Sequence, residues 1–502
     1  MNSAKSNSNI SALTSTRVLA RNSIFNMAGY AFPALMALIS IPIIIKGIGT
    51  NRFGTLTLIW IVMGYFSLLD LGLGKALTKI IAEYLGKGDQ DSIPAIIWSA
   101  LAITLLLGTA AIPVVMLLAP WLVQSVLKIP AELQAETLCS VDILACCIPV
   151  VICTSSLAGV LEAIQQFKTL SLCRLASGMF VYLSPLLVLQ FSNNLVWIVG
   201  VLAAGRFILL LVHMGLCFNG IHDLRKKFSI QLCFLRPMLI FGGWLTISSI
   251  IEPLMIFFDR FVIGAVVSMT AVAYYSTPFE ALTRMWIIPS AISGVAFPAF
   301  SARIKKDLRH TGVLFNRAMF GITIPLFFLN LAVVFFAREG LQMWLGSEFA
   351  AHSTFVLKIL AIGVFVGGFE PVPNVFLKAA GRQDLMTKYR LIELFFYLPF
   401  LWWLVSKFGI AGAAIAWLAR ALFGTIYIFI MSGRYLDSRN NLLRHARWGA
   451  SMAALLIVSA FLPLGLTPRL ITFVIAILIS SVLFWRLYLP PENRSLLRSY
   501  LS

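Results

Sequence analysis

Residues 244–306 read WLTISSIIEPLMIFFDRFVIGAVVSMTAVAYYSTPFEALTRMWIIPSAISGVAFPAFSARIKK, and this stretch decides the fold class. It is long enough for more than one bilayer crossing, since a transmembrane helix needs about 20 predominantly apolar residues. Five ionisable side chains interrupt it, namely Glu252, Asp259, Arg260, Glu280 and Arg284. Such groups cost at least ~2.5–3.5 kcal/mol each inside hydrocarbon, so they should face protein or a water-filled cavity. A cavity of mixed charge in a membrane bundle indicates a transporter.

The composition excludes a soluble protein. The chain has 502 residues, of which 60% are hydrophobic and 12% charged, and its mean hydropathy is +0.91. A soluble fold needs a polar shell that this composition cannot supply. The formal net charge of +19 would suit nucleic acid, but the basic residues sit in short loops between apolar stretches, as in multi-pass membrane proteins. The expected partner is therefore the lipid bilayer and not nucleic acid.

The apolar stretches predict an all-α polytopic membrane protein with about 14 transmembrane helices. Their approximate bounds are 22–45, 55–75, 94–118, 138–160, 172–191, 195–218, 238–259, 272–300, 314–336, 354–376, 391–406, 410–432, 448–464 and 470–488. Most of the 39 lysines and arginines fall in the segments on one side, which predicts that this side, with both termini, is cytoplasmic. The basic residues predicted outside are Lys46, Arg52, Lys128, Arg260, Arg338, Lys407 and Arg469.

Short motifs repeat between the two halves of the chain. Tyr182 in the fifth span and Tyr397 in the eleventh begin similar Tyr-Leu sequences, and Arg206 and Arg420 recur in the sixth and twelfth spans at nearly the same offset. A repeat of six spans keeps its orientation, so it predicts two six-helix lobes in a pseudo-two-fold arrangement about the membrane normal. The predicted parts are a cytoplasmic tail over 1–21, an N-lobe over 22–218, a basic cytoplasmic linker over 219–237, a C-lobe over 238–432, and two further helices with a cytoplasmic tail over 433–502.

Three arginines lie within predicted spans and are candidates for substrate binding: Arg206, Arg284 and Arg420. A guanidinium group stays charged at every relevant pH, so each of them needs an anion or water. They would bind a phosphate-bearing substrate in the cavity between the lobes through charge-assisted hydrogen bonds. The alternative is structural, with Arg206 and Arg420 tying helix ends together within each lobe. Among the three, Arg284 is the leading candidate.

The acidic residues within the spans have separate candidate roles. Glu280 precedes Arg284 by four residues, the helical spacing at which their side chains meet. The two residues would either only neutralise each other, or Arg284 would still offer free donors to a ligand. Glu252 precedes Pro253 at mid-depth and is the best candidate for coupling to protons or sodium ions. Asp70 is a second coupling candidate, although Gly72 and Gly74 beside it favour a structural role equally. Asp259-Arg260 is predicted to mark the outer membrane interface.

Nothing in the sequence predicts an enzyme. The motifs of a nucleophile elbow, a P-loop and a zinc protease do not occur. Neither a metal nor a cofactor is expected, because the cysteines fall mostly in apolar stretches without ligand spacing. Energy for transport would then come from an ion gradient or from the substrate's own gradient.

Five segments together resemble one family. They are RNSIFNMAGYAFPALMALISIPIIIKGIGTNRFGTLTLIW at 21–60, FSLLDLGLGKALTK at 66–79, GVLEAIQQFKTLSLCRL at 159–175, FDRFVIGAVVS at 258–268 and LQMWLGSEF at 341–349. In this order and spacing the chain resembles the Wzx-type lipid-linked oligosaccharide flippases of the multidrug/oligosaccharidyl-lipid/polysaccharide exporter superfamily. Each motif is loose, but the series covers nearly the whole chain.

The resemblance implies two six-helix lobes around a cationic cavity, often with two extra helices. It implies that undecaprenyl-pyrophosphate-linked oligosaccharide is turned from the inner to the outer leaflet of the bacterial inner membrane. The product would serve assembly of lipopolysaccharide O-antigen, capsule or exopolysaccharide, with a polysaccharide polymerase and a chain-length regulator as partners. Cavities in this family bind the pyrophosphate with arginines and lysines, which supports Arg284 and allows Arg206 and Arg420.

The sequence thus predicts a flippase that works by alternating access, coupled to an ion gradient. One alternative is a multidrug or cation exporter of the same superfamily, which would be expected to have an acidic cavity and usually twelve spans. The other is a polysaccharide polymerase or lipid-linked glycosyltransferase, which would need a larger outer loop for its acceptor.

Overall fold

The computed structural model describes residues 32–33, 35–66, 72–221, 223–225, 228–231, 255–304, 307–436, 439–462 and 465–484. Every regular element among these residues is a helix. Within this described part of the chain, eight helical stretches are long and apolar enough to cross a membrane, and Leu35–Ile48 and Thr467–Val482 are shorter apolar helices. The prediction of an all-α polytopic membrane protein is therefore confirmed.

The chain forms two compact units, Met1–Ser276 and Thr277–Ser502. The first unit contains α1 (Leu35–Ile48), α2 (Thr50–Phe66), α3 (Leu73–Lys87), α4 (Ile93–Trp121), α5 (Ala131–Ala163), α6 (Phe167–Val188), α7 (Leu195–Gly220) and α8 (255–266). Helix α9 (Met269–Thr283) runs from the first unit into the second. The second unit continues with α10 (Ile287–Arg303), α11 (Leu308–Leu345), α12 (Ser347–Gly367), α13 (Pro371–Ala379), α14 (Gln383–Gly433), α15 (Arg439–Phe461) and α16 (Leu466–Leu483).

Small residues let the helices of the first unit approach closely. A Cβ atom added at Gly159 on α5 would lie 2.1 Å from the carbonyl oxygen of Gly74 on α3. At the same contact, Thr78 Oγ1 donates a hydrogen bond of 2.9 Å to the carbonyl oxygen of Gly159. A Cβ atom at Gly108 on α4 would lie 2.6 Å from Cα of Pro149 on α5. Because hydrocarbon offers no hydrophobic drive for helix association, such close backbone packing holds membrane helices together.

Within the first unit, the end of α8 and the start of α9 pack against earlier parts of the chain. The backbone N–H of Lys128 donates to the carbonyl oxygen of Gly264 at 2.9 Å. A Cβ atom at Gly54 on α2 would lie 1.9 Å from the carbonyl oxygen of Met269, so only glycine fits there. The predicted C-lobe begins earlier in the chain, at 238, but residues 232–254 lie outside the described part. The predicted lobe boundaries therefore stay predictions.

Helix α14 contains two of the predicted spans, 391–406 and 410–432. Its backbone leaves helical geometry at Gly409, where φ is 56° and ψ is −135°. A positive φ is easily adopted by glycine and costs other residues strain, so this residue permits the chain to turn between two crossings. The 51-residue helix is thus divided at the position where the sequence analysis separates the two spans.

Candidate functional site

The helix that carries Arg284 is broken at that residue. Residues Arg284–Trp286 form one 3₁₀ turn between α9 and α10. Pro289 follows closely, and its missing N–H removes an α-helical hydrogen bond to the carbonyl of Met285, which favours the tighter 3₁₀ turn at this point. The break lies within the membrane-spanning stretch Met269–Arg303, so it positions a cationic side chain at membrane depth.

Arg284 contacts the acidic residue that its spacing predicts. Nη2 of Arg284 lies 3.4 Å from Oε2 of Glu280, and the two side chains are 36% and 33% exposed. The contact of the pair is therefore present, while its role in transport stays a prediction. An ion pair this accessible contributes only about 0.2–1 kcal/mol to stability, so it leaves Arg284 able to reach a ligand.

Trp286 brings the broken helix against α14. Its ring centroid lies 6.4 Å from that of Trp417, and Phe279 packs edge-on against the same indole at 5.1 Å. Gly363 on α12 makes room for Trp417, since a Cβ atom there would lie 2.5 Å from the indole ring. The helix turns that carry Arg284 and Arg420 therefore belong to adjacent elements of the second unit.

Arg420 lies on α14 against an aromatic face. Its guanidinium carbon is 5.6 Å from the ring centroid of Tyr397, the tyrosine of the predicted repeat. Its Nε atom is buried and has no hydrogen-bond partner among the described residues. A cation over an aromatic ring is stabilised by about 0.5–2 kcal/mol, which supports the structural role considered for Arg420 and leaves substrate binding open.

A partly buried charge network next to Arg420 was not recognised from the sequence. Arg390 donates to Glu370 at 3.2 Å and to Glu393 at 2.8 Å, and Tyr389 donates to Glu393 at 3.0 Å. A Cβ atom at Gly424 would lie 2.4 Å from Oε1 of Glu370, so this glycine accommodates the carboxylate. The spacing of three between Arg390 and Glu393 is a sequence signal for one of these contacts, whereas the contact between Arg390 and Glu370 has none.

Arg206 occupies a different setting in the first unit. It lies on α7, and its Nη1 donates to Oγ of Ser177 on α6 at 3.2 Å. The two helices form a cleft of about 410 Å³ around it, lined mostly by apolar side chains with Thr169 and Ser177. No carboxylate is among the described residues that line the cleft. Arg206 is thus the candidate cation at membrane depth that lacks an acidic neighbour in its cleft.

Two candidate coupling residues, Asp70 and Glu252, lie outside the described residues. Their roles stay predictions. Asp259 and Arg260 are enclosed by protein, with side chains 0% and 1% exposed, and their predicted position at the outer membrane interface stays a prediction.

Asp259 is the centre of this buried cluster. Its Oδ1 lies 3.0 Å from Nη1 of Arg260, and its Oδ2 accepts a hydrogen bond of 2.5 Å from the Tyr275 hydroxyl. The Arg260 guanidinium also lies over the ring of Phe257 at 5.1 Å. The outer-interface interpretation missed this burial because it rested on the position of the pair near the end of a span.

The second unit contains an apolar groove of about 820 Å³ between α12, α14 and α15. Exposed Leu422, Ile426 and Ile430 line it on α14. Its polar lining residues include Arg434, just beyond the end of α14. A volume in this range suits a small ligand or part of a lipid chain.

Comparisons with known proteins agree with this architecture. The sequence profile described as "Polysaccharide biosynthesis protein" matches residues 19–304, more than half of the chain. A Shigella flexneri protein provisionally described as an O-antigen transporter is 27% identical over 413 residues, which cover 81% of this chain and 96% of the relative.

Two solved structures share the fold. The lipid II flippase MurJ in an inward closed conformation superposes with a TM-score of 0.72 at 12% identity, covering 92% of this chain and 99% of that one. An inward-facing multidrug resistance transporter of the MATE family, within the MOP superfamily, gives a TM-score of 0.67 at 13% identity, covering 84% and 96%. At these identities the likeness concerns the fold alone.

Proposed function

The chain belongs to the polysaccharide biosynthesis protein family, and we propose that it is a flippase for undecaprenyl-pyrophosphate-linked oligosaccharide. It would move this lipid from the inner to the outer leaflet of the bacterial inner membrane, for O-antigen, capsule or exopolysaccharide assembly. The Shigella relative supports the substrate class. The MurJ-like fold is compatible with the same transport reaction. Cytoplasmic termini, the polymerase and chain-length regulator as partners, and ion coupling belong to the same proposal.

One observation carries the proposal, namely the setting of Arg206. Its permanent charge lies inside a span, in a cleft whose described lining is mostly apolar and has no acidic residue. A charge held there needs an anion or water. The substrate diphosphate would supply that anion through charge-assisted hydrogen bonds. Arg284 and Arg420, both in the second unit, remain further candidates for binding the substrate.

The apolar groove would hold part of the prenyl chain while the rest stays in lipid. Exposed leucine and isoleucine side chains along α14 line it, so a chain can enter sideways from the bilayer. Burial of apolar surface contributes ~25 cal/mol per Å². The diphosphate would be bound at Arg206, and rocking of the predicted lobes would expose the head group on the outer side.

Removal of the gene tests the proposal in cells. Lipid-linked oligosaccharide should accumulate on the cytoplasmic leaflet, and surface polysaccharide should be lost. Enzymatic labelling of the glycan in right-side-out and inside-out vesicles would measure the leaflet. Unchanged surface polysaccharide would contradict the proposal.

The likeness to a MATE transporter favours one second candidate, a multidrug or cation exporter. Such a protein would change drug susceptibility when expressed and leave surface glycans unaltered. The arginine in the apolar cleft opposes it, because a cationic drug would be repelled by Arg206.

Replacement of Arg284 by glutamine should lower the transport rate about tenfold, because a contact to the diphosphate worth ~1.5 kcal/mol is lost. Transport of labelled substrate into proteoliposomes would measure it. The double variant Arg284→Gln with Glu280→Gln distinguishes substrate binding by Arg284 from neutralisation of Glu280. If Arg284 only neutralises Glu280, the double variant should recover activity, and this recovery would contradict substrate binding by Arg284.

Replacement of Ala450 by tryptophan should obstruct the groove, since Ala450 is an exposed lining residue on α15. Transport of undecaprenyl-linked substrate should fall severalfold, while a substrate analogue with a short prenyl chain is much less affected. Ala454→Trp is the matched control, because this exposed alanine lies one turn further on and does not line the groove. Equal effects of both tryptophans on both substrates would exclude the groove as the prenyl site.

A further inference from the structure

A second cavity, of about 460 Å³, is formed by the ends of α11, α12 and α15 in the second unit. The charge pattern of the sequence predicts that these helix ends face the outside of the cell. Two of the lining residues are the cations Arg338 and Lys358, and three are the neutral polar residues Gln342, Ser347 and Thr354. No acidic residue occurs among the described residues that line it.

Both cations can reach a ligand. Arg338 is exposed and forms no ion pair with any residue that the structure describes. Lys358 is half-buried, and its Nζ donates to the carbonyl oxygen of Ala460 at 2.8 Å. An ammonium group has three donors, so this contact leaves capacity for an oxyanion.

The neighbouring acidic residue does not cancel this charge. Glu339 accepts a hydrogen bond from Arg469 at 2.6 Å. Because the two residues of this pair carry opposite charges, their electrostatic effects on Lys358 oppose each other. The positive end of the α12 dipole adds to the field, since Ser347 begins that helix and lines the cavity. Glu348 lies in the first turn of α12 but does not line the cavity, so the described lining residues carry two positive charges and no negative one.

The clustering is unusual for this side of the protein. Outer segments of membrane proteins carry few basic residues, and in this chain Arg338 and Arg469 are two of those predicted outside. Together with Lys358 they gather within one small region. Few basic residues are predicted on this side, and two of them lie with Lys358 around a cavity that has no acidic residue in its described lining. This arrangement favours an anionic ligand.

An exposed aromatic surface adjoins the cavity. Phe355 lines it and is 45% exposed, and Phe461 is 61% exposed. Their ring centroids lie 6.0 Å apart. A ligand that satisfies both the cations and these rings is amphiphilic, with an oxyanion head and an apolar tail.

We propose that this cavity binds the phosphate group of a membrane lipid, with the lipid chains lying along Phe355 and Phe461. Arg338 donates hydrogen bonds to the phosphate from its planar guanidinium group, and Lys358 donates from its ammonium group. The lipid is either an anionic phospholipid of the outer leaflet or the diphosphate of a prenyl lipid. The site stands on the geometry of the second unit and does not depend on the flippase proposal.

Native mass spectrometry of the purified full-length protein in detergent tests the site. The probes are phosphatidylglycerol and undecaprenyl diphosphate, each titrated alone, with inorganic phosphate as the head-group control. The double variant Arg338→Gln with Lys358→Gln is compared with Lys407→Gln, which removes another exposed outer cation away from the cavity. The wild-type protein and the Lys407 variant should retain one of the two lipids at least about tenfold better than the double variant.

The retained lipid identifies the source of the phosphate. Selective retention of phosphatidylglycerol assigns the site to a phospholipid, and selective retention of undecaprenyl diphosphate assigns it to a prenyl lipid. Equal retention of both lipids by the wild-type protein and the double variant overturns the proposal, as does binding of inorganic phosphate alone. Single Arg338→Gln, at an exposed position, provides the same comparison if the double variant does not fold.

Discussion

Replacement of Arg206 by glutamine is expected to reduce transport of lipid-linked oligosaccharide to background. Glutamine keeps a polar, hydrogen-bonding side chain, but it is two bonds shorter than the Nη1 that contacts Ser177 and it removes the charge that the proposed diphosphate neutralises. Charge-assisted hydrogen bonds contribute roughly 1.5–3 kcal/mol each, so loss of two of them lowers affinity by about two orders of magnitude or more. Transport of a fluorescent substrate into proteoliposomes would measure the effect.

Two matched variants make this result specific. Arg206→Lys keeps the positive charge but loses the planar guanidinium group, so the variant should retain partial transport activity. Arg309→Gln makes the same chemical change at an exposed position at the start of α11 and should leave transport unaltered. Full activity of a normally inserted Arg206→Gln protein would show that the diphosphate binds elsewhere.

Replacement of Asp259 by asparagine is expected to destabilise the protein by about 3–5 kcal/mol. The shape is preserved, but the charge of buried Arg260 loses the carboxylate that lies 3.0 Å away. A fully buried charge without its partner carries most of the desolvation penalty of the pair. Thermal unfolding of the detergent-solubilised protein, followed by intrinsic tryptophan fluorescence, would show the lower transition temperature.

A second substitution identifies the cause of this loss. Asp259→Asn combined with Arg260→Met removes both charges, and an apolar replacement of a buried pair is often close to neutral. The double variant should therefore unfold at a higher temperature than Asp259→Asn alone. Asp384→Asn removes an exposed carboxylate paired with Arg382 and should leave the transition temperature nearly unchanged, because water screens an exposed ion pair. Equal transition temperatures for Asp259→Asn and Asp384→Asn would contradict a stabilising role for the buried pair.

The fold class and one local contact could be predicted from the sequence. Long apolar stretches predict helices because hydrocarbon requires every backbone group to be paired internally, and the structure is helical throughout its described part. The contact between Glu280 and Arg284 follows from helical geometry alone, since residues four apart share a face. In both cases local rules suffice.

The relative importance of the arginines could not be predicted in this way. The sequence analysis placed Arg284 first, yet Arg284 has an acidic neighbour in Glu280. Arg206 instead contacts Ser177 on another helix, in a cleft without a carboxylate among its described lining residues. Which side chains surround a buried cation depends on helix packing, and no spacing along the chain reports it.

The charge clusters around Arg390 and Asp259 also depend on helix packing that the sequence does not report. Arg390 joins Glu370 to Glu393 across two helices, and the part of this network that spans the helices has no sequence signature. Asp259 and Arg260 are adjacent in the chain, and adjacent helical residues normally face different directions. Both are buried here because Tyr275 and Phe257 enclose them.

Reconstitution of the purified protein tests the central claim most directly. Proteoliposomes would carry undecaprenyl-pyrophosphate-linked oligosaccharide in both leaflets, and an added glycosidase would cleave only the glycans that face outward. The account predicts that wild-type protein exposes nearly all of the substrate over time, whereas liposomes with Arg206→Gln protein stop at the outer-leaflet fraction. Cleavage that stops at this fraction with wild-type protein as well, although the protein is folded and inserted, would contradict the account.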